Sequence, residues 1–314
     1  MNLKLNLRTP NSKINFIERI GNNVYPVVNK EPSVKKIVHV YQIQYKNSKA
    51  NAGFGDFLRG CFCLIQICNF HGLDFDIDVS NHPISKYINN QEINPTINYN
   101  EILRNTIEMY YPKERDNNKA KQIYTLLVNE IRNENSEIYY MFMNSFPFLK
   151  IKQTEIDFIK SRIEPNLTMQ TEIDLTLNEL NLISKEFSVI HIRSGDRFLV
   201  YNSKTSDNSF ENELFKYLEP LLNNQDTKYL IISDNYKLKL LFSEFKNCVF
   251  SMKPITHLGH SKLNDDTVKN TLIDFYLMSQ SNNIYTISNY EWGSGFSKWC
   301  SVIYNIPYNT KIIN

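Results

Sequence analysis

Four ionisable side chains crowd one short stretch of this sequence: His191, Arg193, Asp196 and Arg197 surround Gly195, directly behind the apolar run Val189, Ile190 and Ile192. A strand covered on both faces that ends in a cationic, glycine-containing turn is suited to hold an anion. The guanidinium fork of an arginine matches a phosphate, and a glycine lets the ligand come close to the backbone. Three other stretches could join it. Gly53-Phe54-Gly55-Asp56 precedes the apolar segment 57–70, so glycines and a helix start, with Asp56 as its N-cap, could present amide donors to an anion or a sugar. The same layout also suits a tight strand-to-helix connection with no ligand. Asp274 is the one polar residue in Leu272 to Met278, so its carboxylate is expected to be buried and to need a donor or a cation. Ser294, Gly295, Phe296 and Ser297 lie between Trp292 and Trp299, where a helix start again offers donors, or a serine simply caps the helix over a buried aromatic pair.

A rival chemistry sits at Asp74, Asp76 and Asp78, which alternate with Phe75, Ile77 and Val79. On a strand the three carboxylates share one face and could hold a divalent cation with a nucleotide diphosphate. The plainer alternative is a solvated edge strand. Cys61, Cys63 and Cys68 with His71 have poor zinc spacing, and their apolar neighbours suggest a buried helix in which cysteine is a small apolar residue. Five cysteines, an odd number, suit reduced thiols.

The elements that must position these groups follow from periodicity. Segment 36–45 and Leu73 to Val79 alternate as strands, 57–70 is a buried helix, and 119–132 is helical. Ile138 to Leu149 resembles a strand and bend, and a helix-prone stretch from Gln153 to Leu182 is broken at Pro165. From Ser184 the pattern becomes regular: strand 187–193, helix 209–223, strand 228–232, helix 236–245, strand 247–250, helix 265–280, strand 283–288 and a final helix. Such alternation predicts a parallel sheet of Rossmann type, with ligands at the carboxyl ends of the strands. His191 to Asp196, Ser233-Asp234-Asn235 and the residues after Ser288 all fall at such ends. The expected domains are 1–183 and 184–314, the second binding the nucleotide.

At 314 residues, 42% hydrophobic and 13% aromatic, the chain can bury two cores. A formal charge of +2 with scattered lysines argues against nucleic acid. No stretch has the roughly 20 apolar residues of a spanning helix, and the N-terminus lacks a signal-like apolar segment, so a soluble, cytoplasmic protein is expected.

Taken together, the motifs resemble the GDP-fucose-dependent fucosyltransferase superfamily, which includes α1,2-, α1,6- and protein O-fucosyltransferases. Gly53-Phe54-Gly55-Asp56 resembles its early glycine loop, and His191-Ile192-Arg193-Ser194-Gly195-Asp196 resembles its His-x-Arg-x-Gly-Asp motif. Ser233-Asp234, His257-Leu258-Gly259, Asp274-Phe275-Tyr276-Leu277-Met278-Ser279 and Ser294-Gly295-Phe296-Ser297-Lys298-Trp299 resemble further motifs in the same order.

The resemblance implies a GT-B-like α/β fold of two Rossmann-like domains facing a cleft, the first on the acceptor side. It also implies inverting transfer of a sugar, above all L-fucose, from a GDP-sugar to a glycan hydroxyl, with no metal or other cofactor. Arg193 would grip the β-phosphate, Asp196 would orient Arg193, and His191 and Asp274 would hold guanine and ribose. Ser294, Gly295, Phe296 and Ser297 would meet diphosphate and base, Gly195 would permit close approach, and Gly53, Phe54, Gly55 and Asp56 would close over the donor. The sequence departs from the family at Ser194, where many members have a second arginine, and at Asp56, where several have asparagine. It has no glutamate among 198–201 to serve as base, so Asp56 and Glu291 stay as candidates. The alternatives are a metal-dependent transferase built on Asp74, Asp76 and Asp78, and a degenerate protein that binds nucleotide or glycan without turnover.

Overall fold

The computed structural model describes residues 34–41, 52–89, 117–132, 137–195, 208–260 and 262–313. Asp196 and Arg197 lie outside the described residues, as do 42–45 of the expected first strand. The chain divides into two compact units. The first comprises residues up to Ala52 with Asp56–Ser85 and Asn90–Arg162, and the second comprises Gly53–Gly55, Lys86–Asn89 and Ile163–Asn314.

In the first unit, strands β1 (Lys36–Val40), β2 (Asp74–Asp78) and β3 (Ile138–Met141) form a parallel sheet in the order β2-β1-β3. Helix α1 (Phe54–His71) and helix α2 (Asn117–Arg132) supply the rest of its core, with Ile37, Leu64, Ile67, Leu127, Val128 and Met141 packed together. Helix α1 is apolar nearly all round because it is buried nearly all round, as its sequence predicts. It starts at Phe54, so Asp56 is not its N-cap. Asp56 occupies the first turn, where a carboxylate suits the helix dipole, and is ion-paired with Arg59 at 2.9 Å.

The cysteines of α1 are buried free thiols. Cys61 faces His39 Nδ1 at 3.3 Å, and Cys63 donates to Tyr124 Oη at 3.4 Å. Burial pushes the Cys63 thiol up to about 12 and the His39 imidazole down to about 3, so both are neutral packing groups.

Among the described residues strand β2 is an edge strand of its sheet, but its carboxylates are not a solvated face. Asp76 is ion-paired with Lys36 at 3.0 Å and Arg162 at 2.9 Å, and Asp78 accepts from the Ser80 amide and hydroxyl at 2.8 and 2.6 Å. Only Asp74 is exposed. Among the described residues no three His, Cys, Asp or Glu side chains are grouped so as to hold a metal ion.

The main run of the second unit starts at Ile163, ahead of the boundary expected near Ser184. The helix-prone stretch breaks into α3 (Gln153–Arg162) and α4 (Leu167–Glu179), with Asn166 capping α4 through the Met169 amide. Helix α4 buries Met169, Ile173 and Thr176 within the second unit, and Tyr276 Oη donates to Ile163 O at 2.6 Å.

Five parallel strands follow in the order β6-β5-β4-β7-β8: β4 (Phe187–Arg193), β5 (Lys228–Ser233), β6 (Cys248–Val249), β7 (Asn283–Ser288) and β8 (Tyr308–Ile312). The helices between them are α5 (Asn208–Leu222), α6 (Tyr236–Leu241), α7 (Asp265–Ser279) and α8 (Gly295–Tyr304). Helix α5 buries Phe210, Leu214, Leu218 and Leu222, spaced by four, against the sheet. Helix α7 is buried at 268 and throughout 270–279, which explains its apolar sequence. Strand β8 was not expected, because Tyr308-Asn309-Thr310-Lys311-Ile312 has no apolar run; it is an exposed edge strand paired through its backbone to β7.

The expected α/β architecture of parallel sheets and flanking helices is present in both units. No helix among the described residues is long and apolar enough to cross a membrane.

Candidate functional site

The order β6-β5-β4-β7-β8 places a topological switch between β4 and β7. From β4 the chain moves outward through β5 and β6, then returns to the other side of β4 for β7 and β8. Connections leaving neighbouring strands in opposite directions open a crevice at their carboxyl ends, where open α/β sheets bind ligands. Arg193 ends β4 and pairs in register with Ser288, which ends β7.

Beside this crevice, at the carboxyl end of β5 on the other flank of β4, lies Asp234. Its Oδ2 accepts from Arg193 Nη1 at 2.5 Å and from the Gly195 amide at 2.9 Å. Its Oδ1 accepts from the Ser194 amide at 2.9 Å and the Ser194 hydroxyl at 2.7 Å. One carboxylate therefore holds the arginine and the following turn together. Gly195 has φ of +133°, a conformation that a side chain would strain, so the turn requires glycine there. Asn289 Nδ2 donates to Ser194 O at 2.8 Å and pins the turn from the β7 side. The Arg193 guanidinium lies over the Tyr290 ring, 5.6 Å from its centroid, and its side chain is 16% exposed, so it is anchored yet reachable. The orienting task expected of Asp196 is carried, among the described residues, by Asp234.

His191 points into the same end of the sheet but is tied down. Its Nδ1 is 2.9 Å from Ser297 Oγ, which is 2.8 Å from Thr286 Oγ1. Burial, then the charges of Arg193 and Lys239, lowers its pKa to about 3, so the ring is neutral. The Ser297 hydroxyl is thereby engaged in positioning His191 and Thr286 rather than turned to a ligand. Ser294 is the N-cap residue of α8, yet its side chain makes no capping bond, so the expected serine cap is absent. The first-turn amides of α8 have no intrahelical acceptors.

The early glycine loop is mostly helix. Phe54 is 2% exposed and packs edge-on to Phe275 at 5.1 Å, and Phe275 meets Phe296 at 5.3 Å, so Phe54 serves the core of the second unit. A Cβ on Gly55 would fall 2.5 Å from Gly295 C and 2.6 Å from Phe296 N. Gly55 is thus small because the backbone at the start of α8 lies directly against it. Gly53 packs beside the ring of His257. The Asp56 carboxylate belongs to the first unit and is held by Arg59.

Asp274 is buried as predicted, and its Oδ2 has no hydrogen-bond partner among the described residues. Burial raises its pKa, and the charge of Lys239 partly offsets the rise. Lys239 is itself 1% exposed and donates to Ser251 O at 3.0 Å. Asn270 and Thr271, one turn before Asp274 on α7, bond Pro254 O and Thr256 O at 2.9 and 3.1 Å. A buried carboxylate with spare acceptor capacity is suited to a ligand edge that brings N–H donors. Lysine 239 was missed from sequence because a lysine in Tyr-Lys-Leu-Lys-Leu-Leu resembles a solvated helix face. Asp234 was visible as a polar strand end and as part of a family-like Ser-Asp pair, with no role assigned to it.

The sequence matches no protein-family model and no curated protein. Among solved structures, a mutant FUT1 from Arabidopsis thaliana in complex with GDP is similar over 95% of this chain and 74% of that one, with TM-score 0.51 and 8% identity. The fucosyltransferase NodZ from Bradyrhizobium is similar over 86% of this chain and 93% of its own, with TM-score 0.49 and 12% identity. An apo form of POFUT1 is similar over 91% and 100%, with TM-score 0.47 and 8% identity. The likeness to FUT1 establishes a shared fold.

Proposed function

We propose that this chain, sharing the fold of a plant protein solved with GDP, is a metal-independent, inverting glycosyltransferase that moves L-fucose from GDP-fucose to a glycan hydroxyl. The observation that carries this reading is the Arg193–Asp234 constellation at the switch point. A guanidinium fixed by a carboxylate, beside a glycine turn at the strand ends, is preorganised for a diphosphate. It stabilises the charge that gathers on the leaving group without having to reorganise. The first-turn amides of α8 add donors on the neighbouring strand end. Asp274 accepts the N–H edge of guanine, and neutral His191 lines the base side.

The acceptor hydroxyl attacks opposite the departing diphosphate, which demands positioning above all. Charge neutralisation by Arg193 and amides leaves no step that needs a cation. The rival cation site is poorly suited, because Asp76 is committed to Lys36 and Arg162.

The test is GDP-fucose hydrolysis or transfer in the presence of chelator. Native protein should turn over, and Arg193→Ala should fall by roughly 10²–10³-fold. Equal turnover in the two would overturn the assignment, and loss of native activity on chelation would select the metal-dependent alternative. Ser194, with its hydroxyl turned onto Asp234 where a second arginine would stand, favours one further reading, a protein that binds GDP without turnover. Calorimetric GDP binding with no product over long incubation would select it.

A further inference from the structure

After β7 the chain turns at Tyr290–Gly293, closed by the Gly293 amide donating to Tyr290 O at 2.9 Å and by the Tyr290 amide donating to Ser288 Oγ at 3.0 Å. This turn carries Trp292, a residue 66% exposed, while the only other tryptophan, Trp299, is 3% exposed. An indole so exposed forfeits much of the stabilisation that its burial would bring. It is nonetheless held in place: it stacks on Tyr290 at 4.9 Å with an interplanar angle of 13°. Tyr290 in turn carries the Arg193 guanidinium on its ring, 5.6 Å from the centroid. Contacts thus run from the anion clamp through Tyr290 to the exposed indole, which is no more than about 10.5 Å from the guanidinium.

We propose that Trp292 is the platform on which a pyranose ring of the acceptor glycan stacks. This rests on the transferase reading above. A flat aromatic ring that is stacked on Tyr290 yet largely exposed suits the apolar C–H face of a sugar ring. Its place in the stack selects the acceptor over the donor sugar. With the diphosphate on Arg193, the donor's own ring is the first beyond the clamp, at the level of Tyr290. In an inverting displacement the attacking hydroxyl approaches the anomeric carbon from the side away from the diphosphate, one ring farther out, which is the level of Trp292. The aromatic face thereby fixes the acceptor ring and leaves its hydroxyl free to meet the anomeric carbon.

The experiment reads iodide quenching of tryptophan fluorescence in the full chain, in which Trp292 is the accessible fluorophore. Quenching is measured alone, with GDP, with GDP-fucose, and with GDP plus lactose, cellobiose or chitobiose. Protection is expected from at least one disaccharide in the presence of GDP and not from GDP alone. In transfer assays with that disaccharide, Trp292→Ala should raise its KM roughly tenfold, Trp292→Phe should restore most of the loss, and GDP affinity should be unchanged in both. The proposal is overturned if iodide reaches Trp292 equally with and without every disaccharide, or if GDP-fucose protects as fully as a disaccharide does, which would make the platform the donor's. It is also overturned if Trp292→Ala leaves the disaccharide KM unchanged. A native chain that binds no GDP would overturn the transferase reading itself, an outcome read independently by calorimetry on the same samples.

Discussion

Replacing Asp234 with alanine removes the common acceptor of four donors: Arg193 Nη1, the Ser194 amide and hydroxyl, and the Gly195 amide. The ion pair is largely buried, with side chains 16% and 4% exposed. Breaking such a pair by deleting one partner costs about 3–5 kcal/mol, because the other charge stays behind uncompensated. Arg193 retains some access to water, which places the expectation near the lower end, about 3 kcal/mol. The orphaned Ser194 and Gly195 amides act in the same direction, though water entering the vacated volume offsets part of their cost. Asp234→Asn keeps the shape and one carbonyl oxygen but loses the charge, for an expected loss of about 1.5–3 kcal/mol. Both variants should weaken GDP binding as well, by about tenfold for Asp234→Asn, because the clamp is no longer held in place before the ligand arrives. Urea unfolding with matched m-values measures the first effect and calorimetric GDP titration the second. An Asp234→Ala protein that unfolds within about 1 kcal/mol of native and binds GDP as tightly would refute the view that this carboxylate organises the site.

Gly55→Ala places a Cβ within 2.6 Å of the Gly295–Phe296 backbone, so it should lower stability by about 1–3 kcal/mol in urea unfolding. Gly295→Ala, whose nearest neighbour would be 3.4 Å away, should cost less; the reverse order would contradict the packing described. Acidification should destabilise both units, because His39 in the first and His191 in the second have folded pKa values lowered from 6.5 to about 3. Between those values the unfolded chain binds protons that the folded chain refuses. Each histidine should therefore remove about 1.4 kcal/mol of stability per pH unit as pH falls from 6.5 towards 3. The raised pKa of Asp274 has the opposite sign: its contribution is present at low pH and is lost as pH rises through the folded value. Urea titrations at pH 7, 6 and 5 should show the acid loss, and His39→Gln and His191→Gln should each flatten the slope; an unchanged slope in both would count against burial of neutral imidazoles.

The alternation of strand and helix after 187, the buried character of α1 and the burial of Asp274 were legible in the sequence, because apolar periodicity reports directly which faces meet a core. Strands β4 and β7 were found with their full extents, and β4, buried on both faces, reads as a nearly apolar run. Strand β8 was not, since an exposed edge strand is held by backbone hydrogen bonds that no side-chain pattern records. The helix break at 163–166 was legible through Pro165, but not the fact that α4 packs into the second unit.

The sequence by itself determined which residue types would gather at the strand ends: a cation, a glycine turn, carboxylates and a helix start. Only the tertiary structure decided their partners. It chose Asp234 to hold Arg193, turned Ser297 onto His191, set Gly55 against Gly295, and stacked Trp292 on Tyr290 beside the clamp. The first three of those pairings join residues far apart in the chain, and the last sets a local stack beside an arginine from another strand. Local periodicity fixes the face on which a side chain lies, whereas strand order and register decide what it meets there.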